Sequence, residues 1–230
     1  MHTAALLLLA LSAFRVPDVK AAAISRADDD ACSTDDESTT KLCLNTYFSA
    51  FGIDSSQPLP PYEGFAKDTE TVIYKFGVGG IDVICNYLTS LTVCLGALNK
   101  SPCLWTNSFM DMYAINATEA GLYAQDFPAR EYVCTNKQEL KDDFQCFKDV
   151  FENNLGEIQK CMIDKTNALN DGGEVCGIDA TYVGCMEGVY TNHCSSSADI
   201  KSFVCNIVEA SLTYDAPDLC KGKLPVCTAP

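Results

Sequence analysis

The residues of this chain best suited to chemistry are its fourteen cysteines. Thiols in such number either ligate metal as thiolates or oxidise in pairs to disulfides. Zinc frames are built on pairs of cysteines separated by two to four residues, and the closest two cysteines here, Cys220 and Cys227, stand further apart. All fourteen follow an apolar N-terminal stretch, residues 4–14, with the length of a secretory h-region. An even cysteine count in a secreted chain predicts seven disulfides, drawn from Cys32, Cys43, Cys85, Cys94, Cys103, Cys134, Cys146, Cys161, Cys176, Cys185, Cys194, Cys205, Cys220 and Cys227.

The other reactive side chains are few. Past the signal one histidine remains, His193, between Asn192 and Cys194, and any Ser–His–Asp or Cys–His site would have to use it. No G-x-S-x-G elbow or H-E-x-x-H helix accompanies it. Asp142 with Asp143, and Asp126 with Glu131, are formal carboxylate pairs. In a chain of 31 acidic and 16 basic residues they read as solvated faces. The net charge of −15 makes nucleic acid and anionic membrane poor partners. Trp105, Tyr62, Tyr74, Tyr87 and Tyr113 could line a ligand pocket, although aromatic residues usually pack a core. The reading is of no enzyme, no cofactor and no metal site.

These residues must be positioned by helices. Ile81, Ile84, Cys85, Leu88, Leu91, Leu95 and Leu98 recur at three- and four-residue steps, which predicts one apolar helical face. Val175, Ile178, Tyr182, Cys185, Met186 and Val189 predict a second helix after the turn at 170–173. Leu140, Phe144, Phe147, Phe151, Leu155 and Ile158 predict a third over 137–160. Strand-like alternation is scarce, so the expected fold is all-α. Cys85 and Cys94 then stand about 13.5 Å apart along one helix axis, on nearly opposite sides, too far to bridge each other. Each must be stapled to a different neighbour.

Cys85, Cys94 and Cys103 have eight residues in each gap, and Cys176, Cys185 and Cys194 repeat that spacing. Cys43 and Cys146 each lead a Phe- and Gly-containing stretch, and Cys134 and Cys227 each close a "VC". The pattern predicts two tandem homologous units: residues 41–136 and 137–230. Residues 1–23 read as a signal peptide and 24–40 as an acidic mobile arm. The first unit has a longer gap after its leading cysteine, assigned to a Pro-rich loop insertion over 54–65. One of Cys161, Cys205 and Cys220 should take the role of Cys32, and the other two should bridge. No later segment reads as long enough to span a membrane. Asn116-Ala117-Thr118 fits an N-glycosylation acceptor, as does Asn99-Lys100-Ser101, although Pro102 follows the latter.

The stretch "VCGIDATYVGCMEGVYTNHCSSSADIKSFVC" resembles a large nematode family of secreted, helical, cysteine-rich domains of unknown function. "CLNTYFSAFGI", "PPYEGF" and "VICNYLTSLTVCLGAL" are similar to related secreted proteins of the chondroitin proteoglycan 4 type. The resemblance implies an extracellular helical fold and brings no catalytic residues. Glycosaminoglycan chains attach at Ser-Gly, and this sequence has none. The expected function is that of a secreted, non-enzymatic binding or structural protein whose partner is an unidentified extracellular protein. The alternative is a carrier of a small apolar, lipid-like ligand, and the third reading is a secreted enzyme or inhibitor.

Overall fold

The computed structural model describes residues 32–194, 197–214 and 219–227. The signal segment and the start of the acidic arm lie outside them. The described residues hold nine α-helices and no strand: α1 (Thr34–Ala50), α2 (Tyr62–Phe76), α3 (Gly79–Leu95), α4 (Thr106–Tyr113), α5 (Ala117–Thr135), α6 (Lys137–Asp142), α7 (Phe144–Asn170), α8 (Val175–His193) and α9 (Ser197–Leu212). Two 3-10 turns, Gly96–Lys100 and Pro102–Leu104, join α3 to α4.

The acidic arm is not an arm where it is described. Ser33 caps α1 by accepting the Asp36 N–H at 3.2 Å, and its hydroxyl donates to the Asp36 carboxylate at 2.7 Å. Asp35, Asp36 and Glu37 occupy the first turn, where carboxylates stabilise the positive end of the helix dipole. The acidity is therefore a helix start, and Thr40 is already in the core. The Pro-rich insertion is likewise only part loop. Pro61 precedes the first turn of α2, from which Tyr62 and Phe65 are fully buried.

α3 is the axis of the first half, packed by α1, α2 and α5. Ile81, Ile84, Cys85, Leu88, Leu91 and Leu95 form its buried stripe, as the periodicity predicts. With the following 3-10 turn, Gly79–Lys100 makes 22 residues that contain an 18-residue window of mean hydropathy 1.6, long and apolar enough by length and composition to cross a membrane. That corrects the expectation that no segment reaches such a length. Here the helix is fastened to α1 and α5 by two disulfides, and its Asp82 pairs with Lys137 and Lys141 of α6.

The helix expected over 137–160 is two helices. The chain breaks at Asp143 (φ −102°, ψ 11°), where consecutive aspartates disfavour a helix interior. α7 then runs on to Asn170 with a kink at Asn154 (φ −125°, ψ 20°). α7 packs along α8, α8 along α9, and α9 against α5.

Seven disulfides use every cysteine. They are Cys32–Cys103, Cys43–Cys94, Cys85–Cys134, Cys146–Cys194, Cys161–Cys185, Cys176–Cys220 and Cys205–Cys227. Cys85 and Cys94 are stapled to α5 and α1, and no bridge joins the chain before residue 136 to the chain after it. The pairing does not repeat, however. Cys43 pairs with the second member of its triplet, whereas Cys146 pairs with the third of the other. Cys85 closes on Cys134, but Cys176 closes on Cys220. None of Cys161, Cys205 and Cys220 pairs with another of the three, which overturns that expectation. The cause lies in the neighbours: α7 is long enough to present both Cys146 and Cys161 to α8, and nothing in the first half does the same. The noncovalent core also ignores the division. One continuous apolar cluster runs through both halves, with Tyr132 of α5 against Phe203 of α9 at 5.5 Å between ring centres.

Candidate functional site

His193 ends α8, where a cationic ring would complement the helix dipole. Its Nε2 lies 3.0 Å from Glu157 Oε1 of α7, and both side chains reach solvent. The pair sits on a surface formed by two helix flanks, beside the Cys146–Cys194 bridge. The placement is that of a solvent-facing side-chain contact between α7 and α8.

The carboxylates separate as well. Asp142 accepts from Gln138 one turn earlier, and Asp143 occupies the helix break. Glu131 points outward to Lys100. Asp126, its supposed partner, is buried and is bound instead by Arg130, one turn further along α5.

That Asp126–Arg130 pair is the most elaborate polar assembly in the described structure, and the sequence reading missed it. Arg130 is 1 % exposed, the largest fully buried side chain among the described residues. Its Nε donates to Asp126 Oδ2 and its Nη2 to Thr69 Oγ1 at 3.2 Å. The Tyr62 hydroxyl donates to Asp126 Oδ1 at 2.6 Å. The guanidinium lies 4.8 Å from the Phe65 ring centre and 5.7 Å from that of Phe51, two rings that meet edge-on at 5.2 Å, so an aromatic corner backs it while its Nε and Nη2 are hydrogen-bonded. Burial alone would lower the Arg130 pKa; Asp126, with Tyr47 and Tyr62, reverses this and holds it above its ordinary value. Burial pushes the neighbouring Tyr47 hydroxyl well up, against the opposing pull of Arg130.

Three helices deliver these groups. Asp126 and Arg130 share one face of α5, while Tyr62 and Thr69 come from α2. α2 is set in place by α5 in turn: Glu119 accepts the Tyr62 N–H at 2.6 Å, and the Tyr123 hydroxyl donates to the Pro60 carbonyl at 2.8 Å. α1 adds Tyr47 and Phe51. Chemically the cluster is a buried, charge-balanced ion pair that ties α2 to α5 beside the end of α1.

Of the five aromatic residues proposed for a pocket, Tyr62, Tyr87 and Tyr113 are spent on packing, while Trp105 is half-buried at the start of α4. Tyr87 meets Phe51 edge-on at 5.1 Å, Leu91 is buried, and the Tyr113 hydroxyl donates to Asn45 Oδ1. Tyr62, Phe65, Phe48 and Tyr123 stack and tilt against one another at 5.1–5.9 Å. Tyr74 is 44 % exposed at the end of α2. The space beneath the Tyr87/Leu91 face is thus filled by rings.

A groove of about 430 Å³ lies elsewhere, between α9 and the C-terminal segment. Asn206, Glu209 and Thr213 line one wall and Leu224, Pro225 and Val226 the other. The Cys205–Cys227 bridge closes its floor, with Cys227 Sγ 3.2 Å from Glu209 Oε2. A disulfide sulfur carries no proton, so this is a close contact and not a hydrogen bond. The groove is open, and the Glu209 carboxylate and the Asn206 amide face its apolar wall. Asn116, by contrast, is exposed and caps α5. No known protein family, curated protein or solved structure matches the chain.

Proposed function

We propose that the protein is a secreted, non-enzymatic structural or binding protein. The observation that carries this reading is the complete use of fourteen cysteines in seven helix-stapling disulfides, which requires an oxidising compartment. The N-terminal apolar stretch over residues 4–14 supports it. The surface position of His193, held by Glu157, gives no support to hydrolytic chemistry. The carrier reading finds no support around Tyr87 and Leu91, where Phe51 packs against Tyr87 and Leu91 is buried.

The test is expression of the full chain in a secretory host. The medium should contain a monomeric or oligomeric species whose non-reducing peptide map shows all seven pairs and no alkylatable thiol. Retention of the chain inside the cell, or recovery of several reduced cysteines, would sink the proposal. Native mass spectrometry of the same material decides the carrier alternative: a co-purifying lipid would establish it, and a bare protein mass would remove it.

A further inference from the structure

We infer that Asn116 is the N-glycosylated residue of this protein and that Asn99, which fits the same tripeptide rule, is left unmodified; the inference rests on the secreted reading above. Both triplets, Asn116-Ala117-Thr118 and Asn99-Lys100-Ser101, satisfy the acceptor pattern, so the choice between them comes from local structure. Asn116 is exposed and extended (φ −72°, ψ 163°), at the junction where the chain leaves α4 and enters α5. Its Oδ1 accepts the Glu119 N–H at 3.0 Å. The cap therefore uses the carboxamide oxygen and turns the opposite end, the nitrogen that carries a glycan, away from the helix. A glycan and the cap are compatible in one side chain.

Asn99 has none of these properties. It is half-buried within the 3-10 turn Gly96–Lys100. The Ser101 hydroxyl, which the acceptor triplet must offer, donates to the Leu98 carbonyl at 2.8 Å and accepts the Cys103 N–H at 3.3 Å. Pro102 fixes the backbone just beyond it, restricting Ser101 to extended conformations. The Cys32–Cys103 bridge then ties this corner to the start of α1. A bulky sugar on Asn99 would have to displace packed backbone, and one on Asn116 displaces water.

The transfer itself needs an oligosaccharide carried on a polyprenyl diphosphate. The Asn116 amide nitrogen attacks C1 of the first sugar. The C1–N bond forms as the C1–O bond to the diphosphate breaks, the electron pair leaves with the diphosphate, and the amide gives up one proton.

The experiment expresses the full chain in a eukaryotic secretory cell twice, once with its own N-terminus and once with a substituted leader. Peptide amidase treatment in heavy-oxygen water then marks each glycosylated Asn as a labelled Asp. The expected result is label at Asn116 alone, lost in Asn116→Asp and in Thr118→Ala, and unchanged in Asn99→Gln. Asn116→Asp preserves a capping oxygen, and Thr118→Ala leaves Asn116 itself intact, so either variant separates loss of the glycan from loss of the fold. Secreted protein with an unlabelled Asn116, or with label only at Asn99, overturns the inference while leaving secretion standing. Label at Asn116 only under the substituted leader upholds the site and overturns the secretory reading of the native N-terminus.

Discussion

The two halves of the molecule each place a cation, a carboxylate and an aromatic ring together, and they do so in opposite ways. In the first half Arg130 and Asp126 are 1 % and 2 % exposed, and the guanidinium packs against Phe51 and Phe65. In the second half Lys165 meets Asp179 at 2.8 Å with its ammonium 4.9 Å from the Tyr182 ring, but Lys165 is 23 % exposed. The difference follows from the cations. A guanidinium is weakly hydrated and can satisfy carboxylate, hydroxyl and ring faces at once, whereas an ammonium is a compact, strongly hydrated charge that keeps contact with water. The halves also differ in covalent support. The first has three bridges closing sequence separations of 49 to 71, and the second has four closing 22 to 48. Where the packed aromatic core is deep, long loops are closed by few bonds. Where the second half is built on three successive helices, shorter loops are closed more often.

The largest effect should expose that contrast. Arg130→Ala leaves Asp126 buried without its partner and opens space beside two rings, for a loss of about 5 kcal/mol, the upper end of what breaking a buried ion pair costs. Lys165→Ala should cost less, about 2 kcal/mol, because Lys165 is 23 % exposed and water can enter the space it leaves beside the buried Asp179 carboxylate. Denaturant unfolding under non-reducing conditions measures both. Equal losses would show that the second pair is as dry as the first and that the comparison is wrong. Replacing both Arg130 and Asp126 by leucine and methionine should recover much of the loss, since a packed apolar pair often substitutes for a buried ionic one.

Removing bridges tests the covalent side. Taking the closed loop as the constraint on the unfolded chain, loss of Cys43–Cys94 should cost about 4 kcal/mol and loss of Cys161–Cys185 about 3.5 kcal/mol. Paired Cys→Ala variants, compared by midpoint of unfolding, give the order. A reversed order would mean that the second half relies on its bridges for native geometry and not only for chain entropy.

Much of this was legible beforehand. The three- and four-residue apolar steps around Leu88 and Leu91 specify α3, because a helix that buries one stripe must repeat its apolar residues at that interval. The nine-residue spacing of Cys85 and Cys94 excludes their mutual bridge for the same geometric reason. Connectivity was not legible, because it depends on which helix lies beside which. The equal spacing of two triplets carries no information about their partners. Arg130 was hidden differently. The Asp126-x-x-x-Arg130 interval is that of an ordinary surface ion pair, and burial is decided by α1 and α2, which supply Phe51, Phe65, Tyr62 and Thr69 from more than 60 residues away in sequence. The Ser33-x-x-Asp36 cap was readable and was obscured by the run of charge around it.

A smaller effect comes from two glycines on helices of the two halves. A Cβ on Gly80 would lie 2.8 Å from the Ile73 Cα and 3.0 Å from the Val72 carbonyl oxygen, so α2 and α3 cross too closely there for any side chain. Gly80→Ala should cost about 2 kcal/mol by forcing that crossing apart. Gly184, on α8, has nothing within 4 Å of the same position. Gly184→Ala should stabilise by about 0.5–1 kcal/mol through helix propensity alone. Thermal melts of the two variants should move in opposite directions, and a loss in both would place a neighbour against α8.

The last comparison asks whether the halves unfold together. Burial raises the Tyr47, Tyr113 and Tyr123 hydroxyls in the first half and the Tyr182 and Tyr190 hydroxyls in the second well above the ordinary tyrosine value of 10.0. For each, the folded state holds its proton at a pH where the unfolded chain has released it. The stability these groups contribute is therefore fully present below pH 10.0 and falls as pH rises beyond it, without effect at neutral pH. Ultraviolet titration of tyrosinate should show the exposed rings ionising gradually, then the buried ones in a cooperative step as the protein opens. Because α5 packs on α9 and the apolar cluster is continuous, that step should be single. Phe203→Ala, which removes the ring facing Tyr132, should split it into two, with the three first-half tyrosines separating from the two of the second. A two-step curve in the unmodified protein would mean that the bridges, which never cross residue 136, define the unfolding units and that the shared core does not couple them.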